Sequence, residues 1–561
     1  MRLNKAHDMA SFWQNKSEIT GCNDQEHALK NILSEGVSCA VNKTKIEEAN
    51  LLNSQNELEK AYGIYKDILG ENPRNTDALF GIAVILEKQN KLDLAIQFLS
   101  KAIESEPDKT EALLARGRIF CLQGMPENAI SDFTEIISNH PDCFEALIAR
   151  GITFGHNSQF TAAIDDFSLA IGINPNCAEA FYNRGVAYEK LHQFASAIDD
   201  YSTAIKLNPH DYKAYNNRGV ARRETKCFNA ALKDFDKSTK ITPDFAEGYY
   251  NKSLTLLSIG KLKEGFKLYE YRWKTEHFKS QLRHFSQPLW LGNEDLTGKT
   301  ILFHSEQGLG DSIQFCRYIK FFKNMKCRVL LEIEHPLISL MQSLVPKEQI
   351  FEKGSPLPKF DYHCPLMSLP FALQNQNHFH FHGTPYLTVP EREIGYWKEQ
   401  LKRFAVPVIG LAWRGNPNHP KDQCRSTSLK ELIGHLPRDI QWVSLHNNIS
   451  LEEKRLMQDC SNFTNYPELG DFQHTGALCL ALDGIVSVDT SIAHLAGALG
   501  QKVSLILSNF FDYRWDLGSN KTPWYEKHRI VKKQKTETLA EAFIRTSSKI
   551  AHCAETTQPT K

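Results

Sequence analysis

The sequence predicts a multidomain chain: an all-α solenoid of stacked helix pairs, then an α/β region made of two wound halves. Three observations carry that expectation. A 34-residue spacing recurs through the first half, it vanishes past residue 279, and strand-like and helix-like runs alternate from there on. Length agrees, because the chain has 561 residues, and one hydrophobic core stops growing at roughly 250 to 300.

The spacing is read most directly from Pro73, Pro107, Pro141, Pro175, Pro209 and Pro243, each 34 residues from the next. Ten residues beyond each proline stands a small residue: Ala83, Gly117, Gly151, Gly185, Gly219 and Ser253. Twenty-two beyond stand Ala95, Ala129, Ala163, Ala197, Ala231 and Gly265, and twenty-six beyond the bulky Leu99, Phe133, Phe167, Tyr201, Phe235 and Tyr269. Small residues let two helices approach closely, a bulky one fills the space between pairs, and proline ends the second helix. A lone pair leaves an apolar face bare, so pairs stack into a solenoid with an extended concave surface.

This pattern resembles the tetratricopeptide repeat. A first copy with Ala49, Ala61, Tyr65 and Pro73 extends the array over residues 42–279, about seven repeats, leaving an N-terminal extension at 1–41. In the last copy Arg272 and His277 stand where a small residue and a proline are expected, which suits a junction with another domain. Asn183, Asn217 and Asn251 occupy one equivalent helix position. In rods like that of O-linked N-acetylglucosamine transferase such residues form a ladder that hydrogen-bonds an extended peptide, so the resemblance implies a protein or peptide partner on the groove. The competing reading is that asparagine is simply common at this repeat position.

A linker at 280–297, with Pro288 and Trp290, leads into the α/β region. Strand patterns fall at 299–305, 327–333 and 361–366, with a helix over 311–325. After Pro390 the pattern restarts with strands at 406–413, 441–446, 484–488 and 503–507. Such alternation implies parallel sheets covered by helices, with ligands at the carboxyl ends of the strands. The two halves, 298–390 and 391–561, then flank a cleft.

Two motifs lie where that rule puts chemistry. The run Glu306-Gln307-Gly308-Leu309-Gly310-Asp311 follows a strand and opens a helix, with glycines that admit a ligand close to the backbone. No Gly-Lys-Ser/Thr follows, which disfavours nucleoside triphosphate hydrolysis. The run Asp489-Thr490-Ser491-Ile492-Ala493-His494 does the same, aiming free amides and two hydroxyls at one spot that favours phosphate. Thr490 and His494 share a helix face, which puts the imidazole beside that spot. A helix end contributes only about 0.3 to 1 kcal/mol per charge, whereas micromolar binding needs about 8 kcal/mol. A fork-shaped cation must therefore assist. Arg414 and Arg425, in the loop after the first strand of the second half, are the candidates, and Arg425 is favoured because it lies near the start of the next helix.

The runs Gln307–Asp311, Asp361-Tyr362-His363-Cys364-Pro365-Leu366, Gly410-Leu411-Ala412-Trp413-Arg414-Gly415-Asn416, Arg425-Ser426, and Val488 through Gly500 resemble bacterial tetratricopeptide–glycosyltransferase fusions. The second region is similar to the lipopolysaccharide heptosyltransferases and, more distantly, to O-linked N-acetylglucosamine transferase. The resemblance implies a GT-B fold of two Rossmann-like halves, acceptor side first and nucleotide-sugar side second. It also implies inversion at the anomeric carbon, no metal and no cofactor beyond the donor substrate.

Carried over by residue, the resemblance makes Asp311 the general base, with a plain helix cap as the competing reading. Arg425, Asp489, Thr490, Ser491 and His494 would hold the donor diphosphate, although many heptosyltransferases have glycine in place of Ser491. A core histidine competes for His494 and a solvated surface arginine for Arg425. Gln307, Gly308, Gly310, His363, Trp413, Arg414 and Asn416 would line the cleft, with His363 alternatively structural. Trp515, Trp524 and Tyr525, read as following the last strand, would shape the donor pocket or pack in the core. A tail helix over 536–550 would brace the first half.

Composition narrows the partners. Lys+Arg and Asp+Glu each total 66, so the basic footprint of a nucleic-acid binder is missing. The 13 cysteines form no C-x-x-C or zinc spacing, which predicts reduced thiols and no structural metal. Asp234-Phe235-Asp236, an apparent metal-binding Asp-x-Asp, falls in a repeat helix and reads as a solvated face. No apolar run reaches the ~18 residues of a membrane span, and the polar N-terminus lacks a secretory signal, so a cytoplasmic location is expected. The expected function is glycosyl transfer with the repeats recruiting a protein acceptor. A scaffold with an inactive transferase region, or transfer to a saccharide or lipid-linked acceptor, are the alternatives.

Overall fold

The computed structural model describes residues 36–375, 383–419, 422–467, 469–509, 511–515 and 520–555. Most of the expected 1–41 extension lies outside them. The chain divides into two compact units after Lys226, whereas the repeat pattern itself runs on to residue 279.

The described residues of the first unit form only helices and the turns between them. Its helices run from Gly36–Ser54 to Tyr212–Glu224, each packed on the next. The spacing of small and bulky residues has a direct cause. A Cβ on Gly117 would lie 2.5 Å from the Phe133 ring, on Gly151 2.8 Å from Phe167, and on Gly185 2.9 Å from Tyr201. These three rings thus fill the hollow left by the glycine of their own pair, whereas Tyr65 of the first copy fills the space between pairs, its ring 2.3 Å from where a Cβ on Gly81 of the next pair would lie. Arg116, Arg150 and Arg184 each grip a buried aspartate of the following helix, Asp132, Asp166 and Asp200, through two bonds of 2.7–2.9 Å. Each also donates at 3.0 Å to Ser100, Thr134 or Ser168 of the preceding helix, tying one repeat to the next. A further register lies in the hairpin turns: Asn56, Asn90, Gly124, Ser158, His192, Lys226 and Gly260 all take the left-handed conformation, φ 57–77°.

The second unit opens with the last repeat-pattern helices, Phe228–Ile241, Ala246–Ser258 and Leu262–Tyr269. Two fully parallel sheets follow. The first contains β1 (Thr300–His304), β2 (Arg328–Ile333), β3 (Ile350–Glu352) and β4 (Tyr362–Pro365) in the order β3-β2-β1-β4. The second contains β5 (Val408–Ala412), β6 (Gln441–Ser444), β7 (Phe463–Thr464), β8 (Gly484–Ser487), β9 (Val503–Leu507) and β10 (His528–Lys532) in the order β10-β9-β8-β5-β6-β7. Strand order reverses beside β1 in one sheet and between β5 and β8 in the other, the places where α/β sheets bind ligands. The short β3 and β7 and the five-residue β10 were not expected. Trp515, Trp524 and Tyr525 accordingly precede the final strand, and all three are buried in the core.

One apolar cluster runs from Phe266 and Tyr269 of the last repeat helix through Phe303 and Phe315 to Leu495 and Trp524, so both sheets share a core with that helix. Arg272, the departure in the last repeat, is fully buried. It donates to Glu306 at 3.2 and 2.9 Å, to Glu270 at 2.8 Å and to Ser368 at 2.8 Å. The tail helix, Leu539–Glu555, packs on β9, β10 and the helix Leu429–Ile433 of the second sheet, through Ala542 and Phe543, instead of bracing the first. Phe235 is core as expected, but Asp234 is buried too; only Asp236 faces solvent, paired with Lys252. No helix among the described residues is long and apolar enough to cross a membrane.

Candidate functional site

The glycine-rich turn after β1 starts helix α1 (Leu309–Phe315), and the turn after β8 starts helix α2 (Ser491–Leu499). The two helices pack together. Their approach is tightest at Gly310, where a Cβ would lie 2.8 Å from His494 Cδ2 and 3.5 Å from Ser491 Cα. Only glycine permits that contact, and it brings the two motifs read from sequence together.

Asp311 sits three residues inside α1, not at its cap; Gly308 is the cap, and its N–H donates to Asp311 Oδ2 at 3.0 Å. The other oxygen, Oδ1, takes a short bond from Arg514 Nη2. Arg514 comes from the loop between β9 and β10 and also pairs with Asp512 at 2.8 Å. Its Nε is a buried donor with no acceptor among the described residues.

On the facing side Thr490 caps α2, its hydroxyl accepting from Ile492 N at 3.2 Å. One of the two expected hydroxyls is therefore already engaged in holding the helix start. His494 is buried, with Nδ1 2.9 Å from the Tyr525 hydroxyl and the Trp515 ring 4.8 Å away. Burial, then Arg514, holds the imidazole well below its ordinary range, so it is neutral at physiological pH and contributes a hydrogen bond, not a charge. Asp489 behaves oppositely: burial and the nearby Asp512 push its carboxyl up to about 6 against the pull of Arg425 and Arg514. Arg425 reaches the same turn, donating from Nη1 to the Asp489 carbonyl at 3.0 Å. It lies over Gly415, where a Cβ would sit 2.6 Å from Nη2.

Other expected cleft residues are placed elsewhere or used locally. Arg414 is held by Glu453 and the Asn448 carbonyl, so Arg425 is the arginine brought to the α2 turn. Trp413 is fully buried and donates from Nε1 to Glu453 at 3.1 Å. Asn416 is exposed and closes a local turn by accepting from Asn418 N at 3.0 Å. Gln307 donates to the Tyr269 hydroxyl at 3.1 Å, anchoring the glycine turn to the last repeat helix. His363 is buried against His304, ring nitrogens 3.1 Å apart; burial pushes His363 down to about 4 and His304 to about 3. Among the repeat asparagines, Asn217 donates to the Tyr182 hydroxyl at 3.1 Å, and Asn183 and Asn251 are half-buried.

Arg514 was missed, as was the Tyr525 hydroxyl. Arg514 follows a strand at its carboxyl end, the same signal that singled out Arg414 and Arg425.

Models of the tetratricopeptide repeat match residues 52–119, 111–142 and 178–211. The chain carries tetratricopeptide repeats. Protein FlbA of Caulobacter vibrioides is 24% identical over 304 residues, 50% of each chain, so this chain spans about half the length of the curated relative it matches. Similar solved structures include YrrB, a tetratricopeptide protein with an unusual peptide-binding site, at 21% identity and TM-score 0.32, covering 34% of this chain and 98% of that one. MamA is similar at 26% identity and TM-score 0.29, covering 30% and 97%. A tetratricopeptide repeat protein from Parabacteroides merdae is similar at 18% identity and TM-score 0.35, covering 43% and 94%.

Proposed function

We propose that the second unit is a GT-B-type glycosyltransferase that moves a sugar from a nucleotide-diphosphate donor to an acceptor hydroxyl, with inversion and without a metal. The repeats recruit a protein acceptor or partner. The observation that carries this reading is the meeting of two helix starts at Gly310 and His494, at the carboxyl ends of both sheets. An acid stands on one side, and Arg425 and Arg514 supply cationic charge at the junction.

In this reading the diphosphate lies on the Thr490–His494 turn near Arg425. The acceptor oxygen attacks the anomeric carbon as the bond from that carbon to the phosphate oxygen breaks. The electron pair leaves with the nucleoside diphosphate, and the acceptor proton passes to Asp311. A binding scaffold with an idle transferase-like region is the second reading. It is favoured by one observation, that both Asp311 oxygens are already occupied, by Arg514 and by the Gly308 amide.

A thermal-shift panel of UDP, GDP, ADP and CDP on the full chain tests the first reading. One of them at a hundredfold excess over its Kd stabilises the fold by about 2.7 kcal/mol; no response from any of the four favours the scaffold. Labelled nucleotide sugars in lysate then report the acceptor, as protein bands or polysaccharide smears. Asp311→Asn is expected to retain diphosphate binding and to lower transfer about 100- to 10,000-fold. An active Asn variant removes Asp311 from the base role.

A further inference from the structure

Resting on that reading, we propose that Arg514 couples donor binding to release of the base: its guanidinium holds Asp311 in the unliganded chain and transfers to the donor diphosphate when it arrives. The geometry has three parts. First, Arg514 Nη2 occupies Asp311 Oδ1 while the Gly308 amide occupies Oδ2, so neither oxygen is open to take a proton until Nη2 leaves. Second, the pair is not sealed: the Asp311 side chain is 21% exposed, that of Asp512 36% and that of Arg514 10%, so the edge of the pair reaches solvent. Third, Asp512 holds the other nitrogen, Nη1, at 2.8 Å, fixing the arm while Nη2 changes partner, and the buried Nε still lacks an acceptor.

Arg425 cannot play this part, because its Nη1 is held by the Asp489 carbonyl and its Nε by Asp422 at 3.3 Å, neither of them the base. A diphosphate offers several oxygens and more charge than one carboxylate, so it outcompetes Asp311 for a forked donor. The acid is thereby freed only when donor is present, which keeps the site idle otherwise. Both occupied oxygens of Asp311 are then the resting state of an active site and do not argue for a scaffold.

The test is a double-mutant cycle. Calorimetric titration of the full chain with the responding member of UDP, GDP, ADP and CDP is run on wild type, Asp311→Asn, Arg514→Gln and the double variant. Removing the competitor in Asp311→Asn frees Arg514, so the diphosphate binds about tenfold tighter, or ~1.4 kcal/mol. In Arg514→Gln binding weakens by at least tenfold, and the gain from Asp311→Asn disappears. A gain that persists in the Arg514→Gln background is mere relief of charge repulsion and overturns the proposal, as does no gain in wild type. Should Arg514→Gln fail to fold, Arg514→Lys replaces it and must at least halve the gain. Failure of wild type to bind any of the four diphosphates brings down the transferase reading itself; binding without coupling brings down this inference alone.

Discussion

Replacing Arg272 by methionine tests whether the last repeat is welded to the sheets by a buried charge. Arg272 is 0% exposed, and the carboxylate it holds, Glu306, is 3% exposed. Truncating one partner of such a pair leaves an uncompensated buried charge and costs about 3–5 kcal/mol. Methionine refills part of the volume, so the low end, about 3 kcal/mol, is expected. Seven of the eight tryptophans lie beyond Lys226, so fluorescence during urea unfolding reports on this unit. With m of about 3 kcal/mol/M the midpoint falls by about 1 M.

The pH dependence carries a second signature. Burial pushes Glu306 up and Arg272 is the main group holding it down. Without Arg272 the folded pKa stands further above the unfolded one, so the native state binds more protons than the unfolded state. Stability of the variant therefore rises as pH falls toward 5. A midpoint shift below about 0.3 M, or a loss equal at pH 5 and pH 8, refutes the weld.

Gly310→Ala is expected to lower stability by about 1–3 kcal/mol and to weaken diphosphate binding, since the new methyl meets His494 at 2.8 Å; an unchanged melting curve would deny the close approach. Asp489, raised to about 6 in the fold from 3.8, keeps its proton longer than in the unfolded chain, so stability from this group declines as pH rises from about 4 to 6. Asp489→Asn accordingly stabilises the protein at pH 8 by up to ~3 kcal/mol and hardly at pH 4, and a pH-independent difference in Tm would contradict this. Ser158→Gly relieves a left-handed serine at φ 63° and is expected to stabilise the first unit by about 1 kcal/mol, read by circular dichroism; a destabilised variant would refute the strain.

What was legible in the sequence was whatever repeats or acts locally. The repeat helices were readable because glycine and ring recur 16 residues apart, as Gly117 and Phe133 do, and each recurrence needs the same contact. The left-handed turns recur just as regularly, yet they were hidden, because asparagine, serine, histidine, lysine and glycine all fill them and no single residue type marks the spot. The two helix starts were readable because amides, glycines and hydroxyls near one another in sequence already define an anion-friendly turn.

Pairings between distant segments were not readable. Arg514 meets Asp311 across 203 residues, and nothing in either neighbourhood names the other. The short β3 and β7 were missed for a related reason, since two or three residues carry too little pattern to stand out, and β10 because Arg529 and Lys532 interrupt its apolar run. The junction was the intermediate case: Arg272 announced itself by breaking a pattern, but its partner Glu306 became visible only when the fold buried both. A departure from a repeat thus locates a contact without identifying it. The same logic applies to the site, where the motifs located the two helix starts and the fold alone supplied the cation that holds Asp311.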